Sequence, residues 1–404
     1  MNKQYVKGDC IFIKQNKKFK QYNYLTENLE CDVLVVGGGA TGAILGYYFT
    51  KNNINTVIIE KSRIGHCSTS ITTSLLQYEL DSNASELKSV LCEEDIVKAY
   101  KLGLFSIDEI EKIAKETGNN FYYKKVDCLL YTLKNSEVKQ MTDEYNFRKE
   151  NGFDVELITS EKNPFGFDLK AGVFSKKGGA VLDPFLFTHS LIEQSCKSGM
   201  RIYENTEAVK IIYEKDHVVV ETIYGYKIKC KKLIVATGYN TKLFSDRNFG
   251  TKFTTFNIAT KPIDSINPYI KDTVFRDNDD PYHYFRSTHD DRIIIGGEDI
   301  NFEPDINNEP LCNKSYEKLE QMFYNIFKGI NTEFEYKYCG AFATTKDNLG
   351  FIGVDPERDK LWYCLGYGAN GILFSVMGGY FLSKLYFGEK DENMNLFRVN
   401  RFDK

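Results

Sequence analysis

Apolar runs of strand length flank a glycine cluster and a helical segment in the first part of the chain. Asp32–Val36 is a nearly continuous apolar run, which is typical of a strand buried on both faces. Glycines and a helical stretch to about Asn52 follow, and a second apolar run spans Thr56–Glu60. This order predicts a β-α-β unit of about 30 residues.

The rest of the chain shows further secondary-structure patterns without a break. No internal repeat and no low-complexity linker separates them, so we expect any second domain to be interleaved with the first. The predicted helices are Glu94–Glu116 and Ser315–Phe327, and the predicted strand regions are Phe121–Leu133, Ala208–Val220, Tyr226–Val235 and Phe253–Gly297.

One uncharged stretch has nearly the length of a membrane span. Leu361–Ser383 carries no charge over 23 residues, but Gly366, Gly368 and Gly371 interrupt its first half. The helix that remains has about 14 residues, whereas a membrane span needs ~20. We therefore expect a buried core helix and no transmembrane segment.

Composition narrows the classes of function. The chain has 404 residues, which suits two domains, and its net charge of −4 without a sustained basic stripe disfavours a nucleic-acid partner. The ten cysteines lie at least 21 positions apart, so no metal-ligand spacing occurs and no metal site is expected. Met1–Lys20 is polar and shows no secretory signal. These features predict a cytoplasmic protein.

A dinucleotide-binding motif follows the first predicted strand. Gly37–Gly42 fits G-x-G-x-x-G: Gly37 allows a tight turn, Gly39 lets a pyrophosphate approach the backbone, and Gly42 permits close packing of helix and strand. The N-terminus of the next helix offers free N–H groups to phosphates. Glu60 ends the second strand and is placed to accept hydrogen bonds from ribose hydroxyls.

A second G-x-G-x-x-G motif at Gly366–Gly371 narrows the choice of cofactor. Only 33 residues follow Gly371, so no second β-α-β unit can be built there and the loop must serve the first domain. An NAD site has no need of such a loop. The electron-rich edge of a reduced flavin, in contrast, favours a helix N-terminus, here at Gly371 and Ile372. The two motifs together predict FAD.

Further segments occur in a specific order after the first motif. They are Gly65–Ser70, Leu182–Pro184, Thr206–Val209 with Ala236–Gly238, and Asp347–Gly353, which leads into the second glycine loop. With these motifs the chain resembles the D-amino-acid-oxidase-like family of FAD-dependent oxidoreductases, which includes glycine oxidase and sarcosine oxidase. The resemblance runs from about Asp32 to the C-terminal helix.

The resemblance implies an α/β fold with a Rossmann-type FAD-binding domain and an interleaved α+β substrate domain built on a mainly antiparallel sheet. By this resemblance the FAD-binding domain comprises residues 28–92, 165–248 and 336–392. The substrate domain comprises residues 93–164 and 249–335, and residues 1–27 form an N-terminal extension.

The resemblance also implies cofactor contacts. Ser68, Thr69 and Ser70 would contact the pyrophosphate, Thr72 and Thr73 would lie near the flavin ring, and an ordinary polar turn is the alternative interpretation of these residues. The complete set of predicted cofactor-binding residues is Gly37, Gly39, Ala40, Thr41, Gly42, Glu60, Lys61, Ser68, Thr69, Ser70, Thr72, Thr73, Ala208, Ala236, Thr237, Gly238, Gly368, Asn370, Gly371 and Ile372.

The chain departs from the family pattern at three positions. Relatives that bind amino acids carry an arginine where this chain has Gly340–Thr344. Covalently flavinylated relatives carry a cysteine at the position of Gly340, with Cys339 one residue away, so we expect non-covalent FAD. Sarcosine oxidase has an oxygen-activating lysine where this chain has Ile294, which disfavours rapid reaction with oxygen.

Three alternating residues are the predicted catalytic groups. Tyr282, Tyr284 and Arg286 share one face of a strand, and in the family this strand borders the cavity over the flavin. Two phenols and a guanidinium would form an aromatic wall with an anion-binding fork. The alternative is an exposed sheet face with a surface arginine. His283 faces the other way and is expected to be structural.

We therefore predict an FAD-dependent oxidoreductase that oxidises a small amine or amino acid by hydride transfer to flavin N5. Two alternatives remain at this stage. One is a dehydrogenase of a CH–OH substrate such as glycerol 3-phosphate or a 2-hydroxy acid, and the other is a flavin-binding subunit without turnover. The electron acceptor and the oligomeric state stay open.

Overall fold

The computed structural model describes residues 6–16, 19–302 and 309–403. Part of the predicted N-terminal extension (residues 1–5, 17 and 18) and residues 303–308 of the predicted substrate domain lie outside these ranges. The strands are β1 (Val6–Gly8), β2 (Leu29–Val36), β3 (Thr56–Ile59), β4 (Leu75–Gln77), β5 (Lys124–Thr132), β6 (Val155–Thr159), β7 (Ala171–Val181), β8 (Arg201–Tyr203), β9 (Ala208–Tyr213), β10 (Val218–Thr222), β11 (Lys227–Val235), β12 (Thr251–Thr260), β13 (Thr273–Asp277), β14 (Tyr284–Ser287), β15 (Ile293–Asn301), β16 (Phe334–Thr344), β17 (Phe351–Val354) and β18 (Leu361–Leu365).

The described helices lie between and beside these strands. They are α1 (Ile11–Gln15), α2 (Ala40–Lys51), α3 (Ser68–Ile71), α4 (Ala84–Leu87), α5 (Glu93–Thr117), α6 (Val138–Glu150), α7 (Pro184–Lys197), α8 (Pro268–Lys271), α9 (Glu309–Ile326) and α10 (Gly371–Tyr386), with short 3₁₀ helices at Asn135–Glu137, Ser160–Lys162 and Glu392–Phe397.

The smaller sheet has a parallel centre. Its strand order is β17-β18-β11-β2-β3-β8, and the β9–β10 hairpin is attached to the first half of β11. Val33–Val36 pairs with Thr56–Ile59 on one side and with Lys232–Val235 on the other, all in parallel. A strand between two parallel neighbours is covered on both faces, which explains the continuous apolar run of β2. Helices α2, α7 and α10 pack together against this sheet. The predicted β-α-β unit is present.

The larger sheet is mainly antiparallel and follows the order β1-β16-β12-β15-β14-β13-β5-β7-β4, with β6 paired to β7. Within this order, β13 and β5 form a parallel pair. Helix α9 packs on β12 and β15, and a phenylalanine-rich core that includes Phe256, Phe285 and Phe323 lies beneath it. The predicted fold class, a Rossmann-type domain combined with a mainly antiparallel α+β domain, is therefore confirmed.

Strand pairing differs from the predicted domain boundaries in four segments. β4, β7 and most of β16 lie in stretches assigned to the FAD-binding domain, and β1 lies in the assigned N-terminal extension, yet all four strands belong to the larger sheet. Pairing partners are far apart in the sequence, for example β1 with β16, so local apolar patterns do not reveal them.

Helix α7 was not predicted, although its start carries a clear signal. The Asp183 side chain accepts hydrogen bonds from the backbone N–H groups of Phe185 and Leu186, and Pro184 occupies the first helical position. Asp as the N-cap followed by Pro is a typical helix start.

Helix α10 begins at Gly371, as the glycine pattern predicts, and has 16 residues. Within the described ranges, no helix is both long and apolar enough to span a bilayer.

Candidate active site

One cavity of about 620 Å³ lies where the two sheets meet. Its wall combines the carboxyl ends of β2, β3 and β11 and the second glycine loop with side chains of the larger sheet. Of the predicted cofactor residues, the cavity is lined by Gly37, Gly39, Ala40, Thr41, Glu60, Lys61, Ser68, Thr69, Thr72, Thr73, Ala208, Ala236, Thr237, Gly238, Gly368, Gly371 and Ile372.

The glycines of the first motif bring backbone close to backbone. Gly37 has φ of +120°, and a Cβ there would lie 2.3 Å from the carbonyl oxygen of Ala236. A Cβ at Gly42 would lie 1.9 Å from the carbonyl oxygen of Gly37, so Gly42 serves helix packing and does not line the cavity. Among the described residues, the atom nearest to a Cβ at Gly39 would be the Thr69 hydroxyl oxygen, at 3.1 Å. The missing side chain of Gly39 therefore keeps the cavity wall open.

Glu60 is buried and held at the end of β3. One carboxylate oxygen accepts a hydrogen bond from the Gly38 N–H (2.7 Å) and the other from the Ser62 N–H (2.9 Å). Both bonds fix the carboxylate beside the glycine turn. The Ser62 hydroxyl also donates to the oxygen that accepts from the Ser62 N–H (3.1 Å), so the oxygen that accepts from Gly38 is the one with a second lone pair for a ribose hydroxyl.

The hydroxyl residues of α3 divide into two groups. The Thr69 hydroxyl oxygen accepts a hydrogen bond from the Ala40 N–H at 3.0 Å and lines the cavity together with Ser68. Ser70 is fully buried, and its hydroxyl donates to the Cys67 carbonyl at 2.8 Å. The predicted pyrophosphate contact of Ser70 is therefore wrong, because its side chain points into the protein. Cys67, which was not predicted, lines the cavity instead.

The N-termini of α2 and α10 converge on the cavity. The hydroxyl groups of Thr41 and Ser375 lie 2.7 Å apart and join the two helices near their first turns. Asn370 is not among the residues that line the cavity, and its amide nitrogen donates to the Glu79 carbonyl at 2.7 Å, so its predicted cofactor contact stays a prediction. The first residues of α10, Gly371 and Ile372, do line the cavity.

Tyr282 and Tyr284 line the other end of the cavity, as predicted. Their rings are 5.9 Å apart between centroids, and the Tyr284 hydroxyl lies 3.2 Å from that of Thr255. The Tyr282 hydroxyl donates a hydrogen bond to Asp81. These bonds fix two phenol rings as a wall of the cavity.

Arg286 is not part of this site, which contradicts its predicted role. Its guanidinium is buried and donates to the carbonyls of Thr73, Leu182 and Ser287, with Phe12 stacked 5.6 Å away. It lines a separate cavity of about 310 Å³. Although it shares a sheet face with Tyr284, its position further along β14 lies under the N-terminal segment and the start of α7.

Arg276 on β13 places a guanidinium in the main cavity instead. It is 4% exposed, its Nη1 donates to the Asp81 carbonyl, and its carbon Cζ lies 5.5 Å from the centre of the Tyr282 ring. Its Nε and Nη2 are buried and have no hydrogen-bond partner among the described residues. In the sequence, the signal that could have identified it is an arginine directly after the apolar residues Val274 and Phe275, inside the predicted strand region Phe253–Gly297.

Two further polar side chains line this end of the cavity without having been predicted. They are Gln77 of β4 and Asp299 of β15. The amide nitrogen of Gln77 and the Oδ1 oxygen of Asp299 are buried and lack a partner in the described part of the chain. Native proteins rarely leave buried polar atoms unpaired, so these two atoms are candidate contacts for a polar ligand in the cavity.

Cys339, the cysteine next to the position of covalent attachment in relatives, and Ile294, at the position of the oxygen-activating lysine, lie away from the cavity. Cys339 is buried beneath α9 and contacts Tyr316 and Cys312. Ile294 is buried against Ile11 and Phe12. Non-covalent FAD and a slow reaction with oxygen stay predictions.

His283 faces away from the cavity, as expected. Its ring nitrogens lie 2.9 Å from Asp277 and 3.3 Å from Glu298. Burial alone would lower the pKa of His283, but these two carboxylates outweigh it and raise the pKa to about 9. Asp277, Asp279 and His283 are also a group of potential metal ligands within the described residues. Their mutual ion pair and hydrogen bonds account for this arrangement.

The fold and this cavity define an FAD-dependent oxidoreductase. A family model described as "DAO: FAD dependent oxidoreductase" matches residues 32–385, and the chain belongs to this family. A Bacillus subtilis (strain 168) protein named as a Rieske 2Fe-2S iron–sulfur protein is 25% identical over 406 residues, which covers 96% of this chain and 75% of that protein.

Proteins named glycine oxidase match in both sequence and structure. That of Bacillus subtilis (strain 168) is 20% identical and covers 92% of this chain and 97% of its own length. The crystal structure of glycine oxidase from Geobacillus kaustophilus superposes with a TM-score of 0.78 at 19% identity, covering 93% of this chain and 99% of that chain. This likeness shows that the fold is shared.

The residues present suit FAD. The Gly37 turn and the open wall at Gly39 leave the room that a pyrophosphate needs, and two helix N-termini offer it positive ends. Glu60 suits the ribose, and Ala208 lines the cavity beside Thr206 and Glu207, where the resemblance implies the adenine.

Proposed function

We propose that this protein oxidises the CH–NH group of a small amino acid, with FAD as the hydride acceptor. The observation that supports this proposal best is Arg276, a buried guanidinium whose Nε and Nη2 have no partner among the described residues, at the end of the cavity opposite the Gly37–Gly42 motif. A guanidinium fork matches a carboxylate in a bidentate geometry. Bound FAD supplies an atom, N5, that accepts a hydride.

The residues of the chain would bind and orient the substrate. Arg276 holds the carboxylate, while the Asp81 carbonyl and the Tyr282 ring fix the guanidinium in place. Tyr282 and Tyr284 shield the reacting carbon from water. Fixed positioning of this kind supplies much of the rate in a hydride transfer that needs no covalent catalysis.

A CH–OH substrate bearing phosphate is the alternative. A phosphate dianion needs several cations, and Lys242 and Lys252 also line the cavity. The amino-acid proposal is favoured because the acceptor-only group Asp299 lies in the same cavity, where a phosphate would be repelled.

Matched substrates under anaerobic conditions test the proposal. The purified flavoprotein is titrated with glycine, L-proline and L-phenylalanine, then with the corresponding amines and 2-hydroxy acids, and with glycerol 3-phosphate. We expect an amino acid to bleach the flavin faster than its amine or hydroxy-acid counterpart. Reduction by glycerol 3-phosphate or a hydroxy acid alone would favour the alternative, and a flavin that no compound reduces would indicate a subunit without turnover.

A further inference from the structure

Asp299 reaches the cavity because β15 is irregular. The pairing of β12 with β15 shifts between Thr254 and Phe256, so Thr255 faces an extra residue of β15. Gly297 and Glu298 both have positive φ (+140° and +54°) at this shift. Such a bulge reverses the alternation of side chains. As a result Glu298 pairs with His283 on one face, and Asp299 lines the cavity on the other.

Only part of the hydrogen-bonding capacity of the Asp299 carboxyl group is used by the described residues. The Thr255 hydroxyl donates a hydrogen bond to it, while Oδ1 is buried without a partner among the described residues. The charges of Asp81 and Glu298 raise the pKa of Asp299, and the charge of His283 lowers it. The phenols of Tyr282 and Tyr284 face the Asp299 carboxyl group. Burial is the main cause that raises the pKa of Asp299 to about 6. The carboxylate is thus more basic than an exposed one.

Resting on the proposed function, we infer that Asp299 receives the α-ammonium group of the bound amino acid and takes one of its protons. Among the residues that the structure describes, the cavity holds an acceptor without a partner, Asp299 Oδ1, and donors without partners on Arg276. A zwitterion satisfies both at once, with its ammonium on the acceptor and its carboxylate on the donors. An amine without a carboxylate, or a hydroxy acid without an ammonium, satisfies one alone.

The proton transfer prepares the nitrogen for oxidation. An N–H bond of the ammonium breaks, an O–H bond forms on Asp299, and the nitrogen gains a free lone pair. The α-carbon then loses its hydrogen as a hydride, which bound FAD would accept, while the lone pair forms the C=N bond. Water hydrolyses the resulting iminium ion to a carbonyl compound and ammonium. The amino acid loses two electrons in this step, and bound FAD would be their acceptor.

Binding of a non-oxidisable pair tests the site without turnover. Anthranilate carries an amine beside its carboxylate, and benzoate carries the carboxylate alone. Perturbation of the flavin spectrum gives both dissociation constants. We expect wild type to prefer anthranilate, Asp299→Asn to lose at least about tenfold of that preference, and Glu298→Gln to keep it, in line with a charge-assisted hydrogen bond. An unchanged preference in Asp299→Asn would overturn the inference.

The rate of anaerobic flavin reduction by the best amino acid of the panel gives a second readout. In wild type this rate should rise with pH through about 6, because only the carboxylate form accepts the proton. In Asp299→Asn this rise of the rate with pH (the pH limb) should disappear, and the rate itself should fall about 100-fold. Thr255→Val removes a hydrogen bond to the carboxylate, so it should move the limb to higher pH.

The outcomes separate this inference from the function on which it rests. If no amino acid reduces wild type, the proposed function fails. If amino acids reduce wild type and Asp299→Asn keeps both rate and limb, the inference alone fails. Asp299→Asn could fold poorly, as judged by its melting temperature and flavin content. In that case Thr255→Val tests the inference: a pH limb at higher pH than in wild type supports it, and an unshifted limb overturns it.

Discussion

The end of the cavity that we propose holds FAD (the cofactor end) and the end that we propose holds the substrate (the substrate end) are built in different ways. The cofactor end rests on two contiguous motifs, Gly37–Gly42 and Gly366–Gly371, each at the start of a helix. The substrate end takes single side chains from five strands of the larger sheet: Gln77, Thr255, Arg276, Tyr284 and Asp299. A local motif carries its own geometry, whereas scattered residues depend on strand register. Function can therefore change at the substrate end without disturbing the cofactor end.

The largest effect should come from filling the cofactor end. Gly39→Val places a branched side chain on the open wall of the cavity, so we expect purified protein without bound flavin, and Gly39→Ala to retain part of it. The ratio of visible flavin absorbance to protein concentration measures the flavin content of each variant. Circular dichroism of each apo-protein is the control, and full flavin content in a folded Gly39→Val protein would show that the cradle lies elsewhere.

The two arginines offer a sharper test of the substrate end. Arg276→Lys should weaken benzoate binding by about 10- to 100-fold, because an ammonium cannot reproduce the bidentate fork. Arg286→Lys is the matched control, since its guanidinium bonds only protein carbonyls among the described residues. It should lower the melting temperature and leave benzoate affinity within about threefold, a difference small on the scale of one charged hydrogen bond. The reverse pattern would restore Arg286 as the anion-binding residue.

The smallest effect concerns the scaffold behind Tyr282 and Tyr284. His283 has a pKa of about 9 in the folded protein, above its unfolded value of about 6.5. Its ion pairs therefore stabilise the fold fully below about pH 6.5, and that stability is lost as pH rises through 9. At pH 6, His283→Gln should be about 2–3 kcal/mol less stable than wild type and should melt a few degrees lower. At pH 10 the two proteins should melt at the same temperature. A gap that persists at pH 10 would contradict this account.

Most of the cofactor-binding residues predicted from the sequence line one cavity, and the exceptions have physical causes. Thr69 and Ser70 are neighbours with similar side chains, yet only Thr69 faces the cavity, because one turn of α3 rotates Ser70 into the core. Local pattern cannot show this rotation.

At the substrate end, the alternation of side chains along a strand correctly predicted that Tyr282 and Tyr284 line the cavity, but it wrongly predicted the same for Arg286. Alternation assigns a face of the sheet, and it does not show which part of that face another segment covers. Asp299 was missed for a related reason, since a bulge reverses the face of every residue after it.

The outermost strands of the larger sheet are very short. β1 pairs with three residues of β16 at one end, and β4 pairs with three residues of β7 at the other, where all three residues of β4 are buried. Open edges of wide sheets are templates for pairing with other chains, and short or covered edge strands remove that opportunity. The same two strands that complete the sheet thus also protect it against aggregation, which matters for a chain that exposes so many strands while it folds.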